Sequence, residues 1–339
     1  MPTTVVTDLP APRLTDTFGR HINYARLSVT DRCDFRCVYC MAEDMEFLPR
    51  SEILSLEEIY AIAQGLVNAG INTLRLTGGE PLIRNNILWL IEKLGALEGL
   101  QELTLTTNGS QLSKYASELA RLGVQRINIS LDSLDPLKFK QITRTGNLEQ
   151  VIEGIDAARA AGFKQIKLNS VIMKQRNDEE ILDLVNFAIA REIDIAFIEE
   201  MPLGEINEHD RAQTYCSSDE VRQCIEQRHK LLPSKKTTSG PSRYFKVDNS
   251  NSHVGFISPH SHNFCSDCNR VRVTVEGRLL MCLGNEHSVD LRTILRDQAA
   301  DKQALTTAIK QGLLLKPERH YFDLNSQPDI VRFMNMTGG

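Results

Sequence analysis

No stretch of the 339 residues approaches the roughly eighteen consecutive apolar residues that a membrane-spanning helix needs. The first twenty residues lack the apolar centre of a secretion signal and carry Asp8 and Asp16. Eight cysteines are too few for a disulfide framework in so long a chain. Together these absences lead us to expect a cytoplasmic protein with reduced thiols. A basic excess is also missing: the net charge is −5, so no global field attracts nucleic acid, and any anionic ligand must be met by a few local cations.

The most informative absence is local. Cys33, Cys37 and Cys40 stand in the pattern C-x3-C-x2-C with Tyr39 before the last thiol, yet no fourth cysteine is near. A zinc knuckle wants four ligands, and the closest upstream histidine is His21. Three thiolates instead fit three corners of a four-iron cubane and leave one iron open to chemistry. A second trio follows: Cys265 and Cys268 as C-x2-C, then Cys282. Here His260, His262 or His287 could complete a zinc site, so spacing alone leaves zinc and iron–sulfur open. The first motif tips the reading toward a second three-cysteine cluster. The spacing of Cys216 and Cys224 points to no ligation.

Between these sets the chain alternates strand and helix. Apolar residues at Ile59, Ile62, Ala63 and Leu66 follow the capping box Ser55-Leu-Glu-Glu58, and strand-like segments recur at 22–29, 71–76, 103–107, 127–131, 166–172 and 193–198. Asn147 and Asn177 are placed to open helices. Six such units predict an α/β fold, an incomplete (β/α)6 TIM-like barrel with its working loops at the carboxyl ends of the strands. The polar stretch 233–241 suggests a boundary. We expect a core over 17–240 and a smaller cluster-binding C-terminal domain over 241–339. The alternation Arg270-Val271-Arg272 puts two guanidiniums on one strand face, suited to phosphate oxygens.

On these residues the chain resembles the GTP 3′,8-cyclases of molybdenum-cofactor biosynthesis, within the radical S-adenosylmethionine (SAM) superfamily. The matching segments are Arg26-Leu-Ser-Val-Thr-Asp-Arg-Cys33, Arg75-Leu-Thr-Gly-Gly-Glu-Pro81, Leu105-Thr-Thr-Asn-Gly109, Asn128-Ile-Ser-Leu-Asp-Ser-Leu134, Lys167-Leu-Asn169, Phe197-Ile-Glu-Glu-Met201, Phe264-Cys-Ser-Asp-Cys-Asn-Arg-Val-Arg272 and the terminal Gly338-Gly339. The resemblance implies a radical SAM lyase with two [4Fe-4S] clusters, one on Cys33, Cys37 and Cys40 and the other on Cys265, Cys268 and Cys282. It implies SAM contacts at Tyr39, Gly79, Ser130 and Met201, and GTP contacts at Arg26, Arg75, Thr106, Lys167, Arg270, Val271 and Arg272.

Arg26, Lys167, Gly338 and Gly339 carry over as catalytic positions, the two glycines threading into the active site. The implied reaction takes hydrogen from C3′ of GTP and joins C3′ to C8 of guanine, the first step of molybdopterin synthesis. A flavodoxin or ferredoxin would supply electrons, and a cyclic pyranopterin monophosphate synthase would take the product. A homodimer is also implied, but neither a nucleic-acid nor a membrane partner. One departure stands out: many relatives carry arginine where this chain has Ala196. Competing readings are a radical SAM peptide-modifying enzyme with an auxiliary cluster and a non-enzymatic iron–sulfur or zinc protein.

Overall fold

The computed structural model describes residues 13–204, 206, 209–297, 299, 303–323, 330 and 332–338. Six parallel strands form its centre: β1 (Tyr24–Ser28), β2 (Thr73–Thr77), β3 (Glu102–Thr107), β4 (Arg126–Ser130), β5 (Gln165–Val171) and β6 (Asp194–Ile198), each paired with the next. Their connections carry α1 (Leu56–Ala69), α2 (Ile87–Gly95), α3 (Leu112–Arg121), α4 (Pro136–Thr143), α5 (Leu148–Ala160) and α6 (Ile181–Ala190). The strands are buried on both faces because their alternation sends apolar residues to the helices and polar ones inward. Leu74 and Leu76 join the hydrophobic core while Thr73, Arg75 and Thr77 point the other way. This is the incomplete (β/α)6 barrel expected from the sequence.

The caps act as the sequence suggests, with one exception. Ser55 Oγ accepts from Glu58 N at 3.1 Å and the Glu58 carboxylate accepts from Ser55 N at 2.8 Å. Asn147 caps α5 through Glu149 N. Asn177 makes no helix cap. Its fully buried amide accepts from Met173 N and donates to Asp132 O and Val171 O, stapling the ends of β4 and β5 together. Helix α4 was not expected. It is short and begins Asp135-Pro136, with the Asp135 carboxylate accepting from Leu137 N and Lys138 N.

Beyond β6 the sheet continues. The strands β7 (Leu231–Pro233), β8 (Arg243–Val247) and β9 (His253–Ile257) extend one edge, with β9 parallel to β6. At the other edge β10 (Arg270–Val273) runs parallel to β1 and is followed by the antiparallel β11 (Arg278–Leu280) and β12 (Ser288–Asp290). The order is β12-β11-β10-β1-β2-β3-β4-β5-β6-β9-β8-β7. Residues 234–242, at the expected boundary, join β7 to β8, and the C-terminal strands supply both edges of one sheet. Among the described residues no helix is long and apolar enough to cross a membrane.

Candidate active site

One cavity runs through the barrel and is lined by all six motif cysteines. Topology sets where they stand. The first trio follows the carboxyl end of β1, whereas Cys265 and Cys268 precede the amino end of β10, the parallel neighbour of β1. The two trios therefore sit toward opposite ends of the same cavity. All six thiols are free of disulfides.

The first loop is held by backbone contacts. Arg36 N and Val38 N donate to Thr143 O and Ile142 O at the end of α4, and Phe35 N donates to Cys33 Sγ at 3.3 Å. Glycine is required opposite: Gly79 N reaches Thr30 O at 2.7 Å, and a Cβ there would lie 2.2 Å from Arg32 O. Burial pushes the three thiols up, Cys40 to about 12. Tyr39 donates to Asp132 Oδ2 at 2.7 Å, and burial raises Asp132 to about 6. Ser130 and Met201 line the same end of the cavity. Behind Gly79, the fully buried Glu80 is raised by burial to about 8 while it accepts from Leu82 N, Asn108 N and Thr107 Oγ1.

The second trio has an electropositive setting. Burial opposes ionisation of Cys268, but Arg270 and Lys316 outweigh it and bring the thiol down to about 7. Lys316 Nζ lies 3.5 Å from Cys268 Sγ and donates to Arg270 O and Met281 O. Arg20 donates to the carbonyls of Cys265, Pro317 and Glu318, tying this trio to the 316–318 segment.

The histidines considered as zinc ligands are engaged elsewhere or exposed. The His260 ring faces Glu200 O, His262 faces Asp219, and His287 is exposed. Among the described residues no three His, Cys, Asp or Glu side chains converge as one ion requires. Each trio instead places three free thiols on the cavity wall, a donor chemistry suited to a four-iron cluster with one iron left open.

Between the trios the wall is cationic. Strand register aligns Arg272, Arg26, Arg75, Thr104 and Arg126 across β10, β1, β2, β3 and β4, all on the interior face. Lys167 lies one step along on β5, opposite Asn128 and Asp194. Burial and the charges of Arg75, Arg126 and Arg26 push its ammonium well below the usual lysine range. Arg75 donates to Thr106 Oγ1 at 3.1 Å. Among the described residues the buried Nε atoms of Arg26, Arg75, Arg126 and Arg270 have no hydrogen-bond partner. Like charges in registered neighbours destabilise a sheet, and buried donors left unpaired cost more; the pattern calls for a polyanion. Val271 joins the hydrophobic core between its arginine neighbours. Ala196 is buried on β6 beside Asn169 and Gly255, leaving that stretch of wall without a charge.

The carboxyl-terminal segment enters this site. Arg272 Nη1 donates to Gly338 O at 2.6 Å, Asn335 Nδ2 donates to Asp31 O at 2.8 Å, and Gly338 is buried against Thr77. Gly339 lies outside the described residues. Arg20, Arg126 and Lys316 escaped the sequence reading. For Arg126 a signal existed, because Arg126, Asn128 and Ser130 share one strand face.

Fold and cysteine geometry define the class as a radical SAM enzyme. The radical SAM superfamily profile matches residues 27–188, and the Molybdenum Cofactor Synthesis C profile matches residues 193–322. SuiB of Streptococcus suis has a similar fold, with TM-scores of 0.61 free and 0.59 bound to S-adenosylmethionine. These likenesses cover 93% of this chain and 77% of that one, at 17% and 16% identity. A GTP 3′,8-cyclase of Marinobacter nauticus is 61% identical over 331 residues, 98% of this chain and 100% of the relative. One from Ectopseudomonas mendocina is 59% identical over 327 residues, 96% of this chain and 99% of the relative. The chain belongs to the GTP 3′,8-cyclase family.

Proposed function

We propose that this protein is a lyase that converts GTP to (8S)-3′,8-cyclo-7,8-dihydroguanosine 5′-triphosphate, the first step of molybdopterin synthesis. The observation that carries the reading is the row of partly unpaired arginines between two three-cysteine sites in one cavity. In this reading Cys33, Cys37 and Cys40 hold a [4Fe-4S] cluster, with Tyr39, Gly79, Ser130 and Met201 around SAM. Cys265, Cys268 and Cys282 would hold a second [4Fe-4S] cluster on the guanine side of the cavity. Held on the first trio, such a cluster would supply the electron for reductive cleavage of SAM.

The residues of the chain do the positioning. Arg26, Arg75, Arg270, Arg272 and Lys167 neutralise the triphosphate, and Thr106 stays oriented by Arg75. Val271 packs the strand that presents its two neighbours. Held this way, the ribose keeps C3′ near both the adenosyl carbon and C8 of guanine, a proximity effect. Gly338 and Gly339 complete the catalytic set, with Gly338 O held by Arg272 Nη1. Functionally, residues 17–240 carry SAM and residues 241–339 the second cluster and the tail. We assign the protein to the cytoplasm as a homodimer, with a flavodoxin or ferredoxin as donor and cyclic pyranopterin monophosphate synthase as the next enzyme.

The test is anaerobic reconstitution followed by incubation with SAM, dithionite and GTP. We expect about eight irons per chain and 5′-deoxyadenosine formation that depends on GTP. Stoichiometric zinc, or 5′-deoxyadenosine formed equally without GTP, would contradict the reading.

A further inference from the structure

One cation of the interior wall is not assigned to GTP above: Arg126 on β4, between Arg75 on β2 and Lys167 on β5. Arg126 is 5% exposed and lines the cavity, and its buried Nε has no hydrogen-bond partner among the described residues. The guanidinium lies against Glu102, with Nη2 at 3.0 and 3.1 Å from the two carboxylate oxygens. Both residues open their strands, so they stand at the amino end of the barrel, away from the first cysteine trio.

There the connection between β7 and β8 crosses the cavity. Thr238, Gly240 and Pro241 line it. Two carboxylates tether the connection: Ser239 Oγ donates to Glu102 Oε2 at 2.7 Å, and Lys236 Nζ meets Asp194 Oδ2 at 2.5 Å. Tyr244 braces it from β8, its ring between Lys167 and Lys236, whose Nζ atoms lie 5.8 and 5.7 Å from its centroid. A polar stretch that reads in sequence as a linker is thus the floor of the cavity.

We propose that Arg126, together with the 236–241 connection, seats the terminal phosphate of the nucleoside triphosphate and so sets the number of phosphates the site accepts. This rests on the reading of the protein as a GTP-binding enzyme. Arg126 ends the interior row of arginines beside Lys167 on β5, so the two together meet the phosphate furthest along that row. Glu102 holds the guanidinium until an anion displaces it, while the hydroxyl of Thr238 and the small Gly240 leave room for phosphate oxygens.

The test measures equilibrium binding of GTP, GDP and GMP to the reconstituted holoenzyme, with iron content and far-UV circular dichroism as controls. In the unaltered protein GTP should bind more tightly than GMP. Arg126→Gln should weaken GTP by at least about tenfold while leaving GMP unchanged, the loss of a charge-assisted fork. Arg126→Lys should recover part of the loss, and Thr238→Val should produce a smaller loss in the same direction. Glu102→Gln removes the competing carboxylate and should strengthen GTP relative to GMP. Unchanged GTP binding in Arg126→Gln, or equal weakening of GTP and GMP, overturns the proposal and leaves the cyclase reading standing. Failure of the unaltered holoenzyme to bind any of the three nucleotides overturns both.

Discussion

At Gly338 the backbone takes φ +74°, and a Cβ there would lie 2.0 Å from Thr77 Cγ2 and 2.5 Å from its Oγ1. Gly338→Ala is therefore doubly disfavoured, by conformation and by contact, and its carbonyl would lose Arg272. The tail should leave the cavity. We expect cyclisation to fall by at least about a hundredfold, given the effect of small misplacements on bound geometry, with iron content unchanged. Full turnover in that variant would show that the tail is dispensable. Tyr24 is a second residue whose surroundings dictate behaviour. Burial raises its phenol, but Arg75, Arg26 and Arg270 overcome this and lower it to about 8.

The folded-state value lies below the ordinary tyrosine value of about 10. The phenolate therefore stabilises the fold fully above about pH 10, and this contribution is lost as pH falls through 8. The absorbance difference between the substrate-free protein and Tyr24→Phe should show one phenolate forming near pH 8. A bound triphosphate neutralises the arginines and should move that midpoint upward. A midpoint at or above 10 in the free protein would contradict the cationic cluster described here.

Among the elements, those with a long period or a cap are legible in the sequence alone. The α1 capping box and the inward polar alternation of β1 to β5 gave the barrel and most of the candidate cavity. Short elements were not. Helix α4 has too few residues to display a period, and β10 is recognisable as a strand but not as the neighbour of β1, since pairing across more than 240 residues leaves no local mark. Asn177 shows the same limit. An asparagine before an apolar helix reads as a cap, yet tertiary contacts claim its amide for three buried backbone partners. Asn177→Ala should lower stability by about 3 kcal/mol, read as a shift in urea midpoint at constant slope. A change under about 0.5 kcal/mol, within the range of ordinary surface substitutions, would remove the staple from the account.

At the scale of the whole molecule, strand order makes the two regions interdependent. Ending the chain at residue 240 removes β8 to β12, leaving β1 and β6 as open edges of an otherwise covered parallel sheet. That fragment should be recovered insoluble or without cooperative unfolding. A soluble fragment that unfolds cooperatively and binds four irons would show that the core stands alone. The same strand order sets the two cysteine trios toward opposite ends of one cavity, with the arginine row between them.

Single-turnover reaction with GTP deuterated at C3′ tests the central claim directly. The account predicts deuterium in the 5′-deoxyadenosine and a product joined between C3′ and C8. Unlabelled 5′-deoxyadenosine, with GTP recovered intact, would contradict it.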